Sequence, residues 1–157
     1  MGRYDSVELV GSARDEALAG CRACMDGWHI RMPDVTPLVL HFGIGEFAKI
    51  GLIEYWIANE TERGYCGKFL FLFEGQRCPC HKHAMKHETF YVLKGRIEMR
   101  VEDEPTIMGP GDLLVMPPGK RHTFIALEPA LIIEASQPSI LRDNFFDDRR
   151  IGEEGVI

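Results

Sequence analysis

The chain has 157 residues, enough for one hydrophobic core and short for two. Hydrophobic residues make up 45% and the formal net charge is −6, with no run of lysines and arginines that could form a nucleic-acid-binding stripe. The longest apolar runs, "PLVLHFGIG" and "KFLFLFEG", fall far short of the roughly 18 residues a membrane span needs.

The opening "MGRYDSVELVGSARDEALAG" is charged and polar, so it does not read as a secretory signal. Gly2 and Ser6 match a myristoylation consensus, but that six-residue pattern is too common to carry weight. Residues 12–26 predict a helix, with Ser12 as N-cap, acids in the first turn, Ala and Leu in the body and an end near Gly27. Five cysteines stand at 21, 24, 66, 78 and 80; an odd number and no secretory signal argue for reduced thiols in the cytoplasm. Cys21 and Cys24 form a CxxC, but on an Ala-rich helix with no βαβ context they read as small packed residues.

After Pro33 and Pro37 the pattern changes. Eight β-type runs follow: "LVLHFG", "IGLIEYWIAN", "GKFLFLFEG", "ETFYVLKG", "RIEMRVED", "DLLVMPPG", "HTFIALE" and "ALIIEAS". Gly, Pro and charged turns separate them at intervals of 8–12 residues with no helix between, which implies an all-β sandwich or barrel. The expected division is a helical extension over residues 1–36 and one β-domain over 37–157, with the polar tail "SILRDNFFDDRRIGEEGVI" packing across a barrel mouth. The run "IGLIEYWIA" is a candidate exposed edge for pairing between two subunits.

The chemistry concentrates in "CPCHKHAMKHETFYVLKG". His81 and His83 are at i and i+2, so on a strand they face one side and can converge on one ion. Glu88 opens the next strand, and His122 follows the turn that ends "GDLLVMPPGKRH". Three imidazoles and a carboxylate make a mixed N/O site for a divalent metal with positions left open. His87 alternates away from Glu88 and is expected to be exposed, and Cys78 and Cys80 read as packing residues. Lys86 lies between the ligands, where a cation could hold a substrate oxygen. Glu134 interrupts the apolar strand "ALIIEAS" and shares a face with Ile132 and Ser136; if that face is the interior, the carboxylate suits a general base.

These residues resemble the cupin superfamily. Its first motif is matched by Gly75-QRCPC-His81-Lys-His83-AMKH-Glu88-TFYVLK-Gly95 and its second by Gly111-DLLVM-Pro117-Pro-Gly119-KR-His122, with Ala126 where the family commonly has asparagine. The resemblance implies an all-β jelly-roll barrel holding a metal on His81, His83, Glu88 and His122.

Within that superfamily the chain is similar to the D-lyxose isomerases. The likeness runs through Tyr65, Cys66, Lys68, Gly75, Gln76, Pro79, the His81-x-His83-x-x-Lys86-x-Glu88 pattern, and Glu134-x-Ser136; Asn144, Asp148 and Arg150 fall at comparable places in the tail. It implies an aldose–ketose isomerase in which a proton moves between C2 and C1 through an enediol whose oxygens the metal holds. Glu134 and Lys86 would be catalytic, and Lys68, Gln76, Asp148 and Arg150 would bind the sugar. The implied metal is Mn(II), with Zn, Fe, Co or Ni as other occupants, and the implied assembly a homodimer. The same ligands also occur in cupin dioxygenases, and a non-catalytic sugar- or small-ligand-binding cupin would keep barrel and metal while Glu134 pointed outward.

Overall fold

The alternation of apolar and polar residues from Leu38 onward folds into two stacked antiparallel sheets, with one helix laid on the outside of the larger. The structure, a computed structural model, describes residues 7–157; Gly2 and Ser6, the myristoylation pattern, lie outside the described residues. Helix α1 (Gly11–Trp28) precedes strands β1 (Leu38–Leu40), β2 (Leu52–Glu60), β3 (Tyr65–Leu72), β4 (Arg77–Lys82), β5 (Glu88–Lys94) and β6 (Ile97–Val101). There follow β7 (Glu104–Met108), β8 (Leu113–Met116), β9 (His122–Ala126), β10 (Ala130–Ser136) and β11 (Phe145–Phe146). One sheet has the order β1-β2-β3-β10-β5-β8 and the other β11-β4-β9-β6-β7. Hydrogen bonds do not close the two sheets into a barrel, so the expected barrel is a face-to-face pair.

All eight expected runs form strands, and three more join them. β4 was implied only by the histidine pair. β7 lies in a stretch that reads as a turn, because Pro105 and exposed charged residues mark it as strand only at a sheet edge, which is where it sits. β11 is two residues of the tail paired with β4 through Phe145↔Lys82 and Phe146↔His81. The helix also differs from expectation. Its N-cap is Val10, with no side-chain hydrogen bond, and Ser12 stands inside the first turn, which carries no acid. Gly27 continues the helix; His29, in the left-handed conformation, ends it, its N–H donating to the Asp26 carbonyl. The "IGLIEYWIA" run is a free edge only in part: β2 pairs with β3 along its length and with β1 over Leu52–Glu54, and beyond Glu54 its other side is free of β1.

Two-residue periodicity sorts the large sheet into an inner and an outer face. Outward, Ile53, Tyr55, Phe71 and Leu131 meet Ala17, Leu18, Cys21 and Met25 of α1. Cys21 is fully buried and lies 3.7 Å from the Tyr55 hydroxyl, and burial pushes its thiol up to about 11, which makes it a packed thiol rather than a reactive one. Inward, Leu70, Phe90, Val92, Ile97, Met99 and Phe124 fill the space between the sheets. Leu52, Leu70, Phe90 and Phe124 also line a cavity at one end of this core.

Gly95 makes the turn from β5 to β6 with φ +75°, and a Cβ there would collide with the Pro129 carbonyl oxygen. Gly95→Ala is therefore expected to destabilise the fold by about 1–3 kcal/mol, read from the urea midpoint against wild type.

Candidate metal centre and active site

Three imidazoles converge because of one irregularity in β4. Between Cys78 and His81 the pairing with β9 slips, so three steps along β4 face two steps along β9, from Phe124 to His122. The extra residue, at Pro79–Cys80, is a β-bulge that turns His81 to the same interior as Cys78. His83 follows one residue past the strand, and His122 opens β9 directly opposite His81. The donor atoms of His81, His83 and His122 all lie within 4.8 Å of one another, and all three side chains are buried.

Each ring is held by its Nδ1: His81 at 2.8 Å from the Pro79 carbonyl, His83 at 2.8 Å from that of Asp143, His122 at 3.0 Å from that of Lys120. A carbonyl only accepts, so each Nδ1 carries the proton and each Nε2 keeps its lone pair. Glu88 faces two of these, Oε1 at 3.3 Å from His83 Nε2 and Oε2 at 3.4 Å from His122 Nε2. Both Glu88 Oε2 and His122 Nε2 are buried without a hydrogen-bond partner. A lone pair aimed at a carboxylate in a dry interior is costly unless a cation sits between them. The four residues thus fit a divalent metal. Burial, followed by the neighbouring His122 and His83, pushes the His81 pKa well below the usual range, which keeps the ring neutral as a ligand must be. Burial alone would raise the Glu88 pKa, but the neighbouring His122 and His83 and the charge of Lys86 hold it well below the usual carboxylate range.

From the ligands a row of charges crosses the inner face of the large sheet. Lys86, from the loop before β5, places Nζ 2.9 Å from Glu88 Oε1 and 2.6 Å from Glu134 Oε1. Glu134 on β10 pairs in register with Lys68 on β3, whose Nζ is 3.4 Å from Glu134 Oε2 and 3.0 Å from Glu54 Oε1. Glu54 Oε2 accepts from Trp56 Nε1 at 2.7 Å, and Ser136 Oγ donates to Glu134 Oε1 at 2.9 Å. None of the five charged residues is more than 7% exposed. Burial works to lower the pKa of both lysines, yet the carboxylates beside them, Glu134 first in each case, raise it above the ordinary value. Both are therefore cations at neutral pH.

Lys68, Lys86, Glu134 and the metal-ligand candidates His81, His83 and Glu88 line one cavity, and the His122 ring lies 5.8 Å from that of Phe90, another lining residue. His87 is exposed, as its alternation requires. Three expected sugar contacts lie elsewhere. Gln76 is fully buried but its amide is spent on the backbone, accepting from Phe73 N and donating to the Phe47 carbonyl, so it fixes a turn. Asp148 and Arg150 pair with each other at 2.7 Å near the surface and do not line the cavity.

Two residues escaped the sequence reading. Glu54 interrupts the apolar run "LIEYWIA" just as Glu134 interrupts "ALIIEAS", so the same logic would have found it. Asp143 is a lone acid in a polar tail and gives no such signal. Its carboxylate accepts the backbone N–H groups of Ala84, Met85 and Lys86, while its carbonyl accepts from His83. It fixes the loop that carries Lys86.

Two stacked antiparallel sheets with three histidines and a glutamate converging inside define a cupin, and the cupin domain family matches residues 70–135. The D-lyxose ketol-isomerase of Cohnella laeviribosi is 33% identical, covering 76% of this chain and 80% of its own. The D-lyxose/D-mannose isomerase of Thermosediminibacter oceani is 31% identical over 72% and 77%. The chain belongs to this D-lyxose isomerase family of cupins. The fold extends to a solved L-ribose isomerase of Cellulomonas parahominis, with TM-score 0.75 and 16% identity over 96% of this chain and 97% of that one.

Removing the Asp143 carboxylate leaves the N–H groups of Ala84, Met85 and Lys86 without their acceptor and frees the loop that follows His83. Asp143→Ala is expected to raise the dissociation constant for Mn(II) about 10–100-fold, measured by chelator competition. Acidification tests the neutral state of His81. Its folded pKa is depressed below 6.5, so its contribution to stability is present above that value and is lost as the pH falls. The metal-free protein should lose up to about 1.4 kcal/mol per pH unit below 6.5 through this group. Urea titrations at descending pH should show a shallower fall in His81→Asn.

Proposed function

We propose that this protein is a divalent-metal-dependent aldose–ketose isomerase that interconverts D-lyxose and D-xylulose. The observation that carries the reading is the buried Glu134 carboxylate, joined through Lys86 to the ligand Glu88 at 2.6 and 2.9 Å. A dioxygenase needs no such carboxylate–lysine pair beside its metal, and in a binding protein Glu134 would have no reason to face inward.

His81, His83, Glu88 and His122 would hold the cation, and their mixed N/O character suits Mn(II), with Fe, Co, Ni or Zn as other occupants. When bound, the cation supplies Lewis-acid polarisation of the sugar oxygens at C1 and C2. Glu134 abstracts the proton from C2 and returns it to C1, while the hydroxyl proton passes from O2 to O1. Ser136 and Lys68 hold its two oxygens in place, so the carboxylate meets the carbon in one orientation. Lys86, a cation at neutral pH, acts as donor and not as base, stabilising negative charge as it develops on the sugar oxygen. The apolar walls, Leu52, Leu70, Phe90 and Phe124, exclude water from the intermediate. The five cysteines are all free, which fits a reducing, cytoplasmic setting. The half of β2 beyond Glu54 that β1 leaves unpaired is the place for contact with a second subunit in a homodimer.

The test is NMR of Mn(II)-loaded protein with a panel of pentoses and hexoses. D-Lyxose should convert to D-xylulose, and Glu134→Gln should lower kcat about 10²–10⁴-fold with metal content unchanged. A filled metal site with no turnover on any sugar would overturn the proposal in favour of dioxygenase or binding chemistry.

A further inference from the structure

The cavity does not end at the catalytic groups. Beside the metal-side chamber, of about 60 Å³, lies a second of the same size. The two share Phe42, Glu54, Lys68, Asn144 and Phe146, but the second contains no candidate metal ligand and adds Trp56. The isomerase chemistry above makes no use of Trp56, yet the chain fixes it closely. Its Nε1 donates to Glu54 Oε2 at 2.7 Å, and the Lys68 ammonium stands 4.8 Å from its ring centroid.

We propose that Trp56, set by Glu54 and Lys68, is the subsite for the end of the open sugar chain remote from the reacting carbons. This deepens the isomerase reading and rests on it. The ruler is the sheet itself. Glu134, Lys68 and Trp56 sit on β10, β3 and β2, successive strands of one sheet. Two strand spacings come to roughly 10 Å, the scale of an extended five- or six-carbon chain. A sugar with C1 and C2 beside Glu134 therefore runs along this row toward Trp56. The indole face takes the C–H side of the chain, while the Glu54 carboxylate accepts from its hydroxyl groups and Lys68 donates to them. The same groups define the class of substrate. Lys68 is already shared by two carboxylates, and Glu54 would face any terminal phosphate, so the subsite takes free sugars and rejects sugar phosphates.

Two measurements test this in Mn(II)-loaded protein. The first compares kcat and KM for D-lyxose and D-mannose in wild type, Trp56→Phe and Trp56→Ala, with metal content and melting temperature checked for each. Trp56→Ala should raise KM about tenfold or more with kcat within about threefold, and Trp56→Phe, which keeps an aromatic face, should raise it less. The second uses Trp28→Phe, in which Trp56 is the remaining tryptophan, and follows its emission as xylitol, a non-isomerisable polyol, is added. A saturable change is expected, and D-mannose 6-phosphate should produce none. Unchanged KM in both Trp56 variants, with turnover intact, would overturn the subsite and leave the isomerase standing. An emission response to xylitol without turnover of any sugar would keep the subsite and overturn the isomerase. Neither response nor turnover would overturn both.

Discussion

The pair Lys68–Glu134 is the interaction on which the site depends, and it is an unfavourable thing to build. Both side chains are buried, and desolvating two ions costs several kcal/mol each before any attraction is recovered. The fold recovers it by extension. Glu54 takes the far side of Lys68, Lys86 takes the far oxygen of Glu134, and Glu88 closes the row against two imidazoles. Lys68, Glu134 and Lys86 each have a neighbour of opposite sign on either side, and the end members Glu54 and Glu88 have one each. Replacing buried ion pairs by apolar residues of similar volume is often neutral or stabilising. The row is therefore better explained by the reaction it serves than by the stability it provides.

The two-sheet architecture makes such a row possible. A strand offers every second residue to the interior, and neighbouring strands bring those residues side by side. In register, Glu134 stands beside Lys68, and Lys68 beside Trp56, so one line across the large sheet holds three polar side chains. The small sheet supplies the imidazoles, which need a departure from regularity. Without the bulge at Pro79–Cys80, parity would send His81 to the face opposite Cys78. The tail then locks the arrangement. Asp143 holds the loop of Lys86, and Phe146 packs its ring 5.2 Å from that of His81.

How much of this was legible in the sequence follows from the range of the interactions. Strand periodicity is local, so the eight apolar runs and the histidine pair could be read directly; Glu134 stood out as an acid in an apolar strand, but which way it faced took the fold to decide. The bulge was hidden, since no periodic signal records one extra residue, although Pro79 between the two cysteines is its mark. β7 was hidden because an edge strand with Pro105 buries almost nothing and so lacks an apolar pattern. Gln76, Asp148 and Arg150 read as sugar contacts by resemblance, but their hydrogen bonds are committed to a backbone turn and to a surface pair. Asp143 acts across 57 residues of chain on Lys86, a contact only the folded tail creates.

The charge balance of the cavity joins the metal to the chemistry. Glu54, Glu134 and Glu88 face Lys68 and Lys86, so three carboxylates meet two ammoniums and one negative charge is uncompensated. His81 does not supply the missing charge, because burial holds it neutral. That surplus negative charge, together with lone pairs directed at Glu88, is the condition a divalent cation satisfies. With the cation bound, the interior carries one net positive charge. An aldose–ketose interconversion passes through a state in which the sugar itself gains negative charge on an oxygen. In the proposed isomerase, a cavity set one charge positive before the sugar enters would favour that state over the neutral substrate, which is the differential catalysis requires.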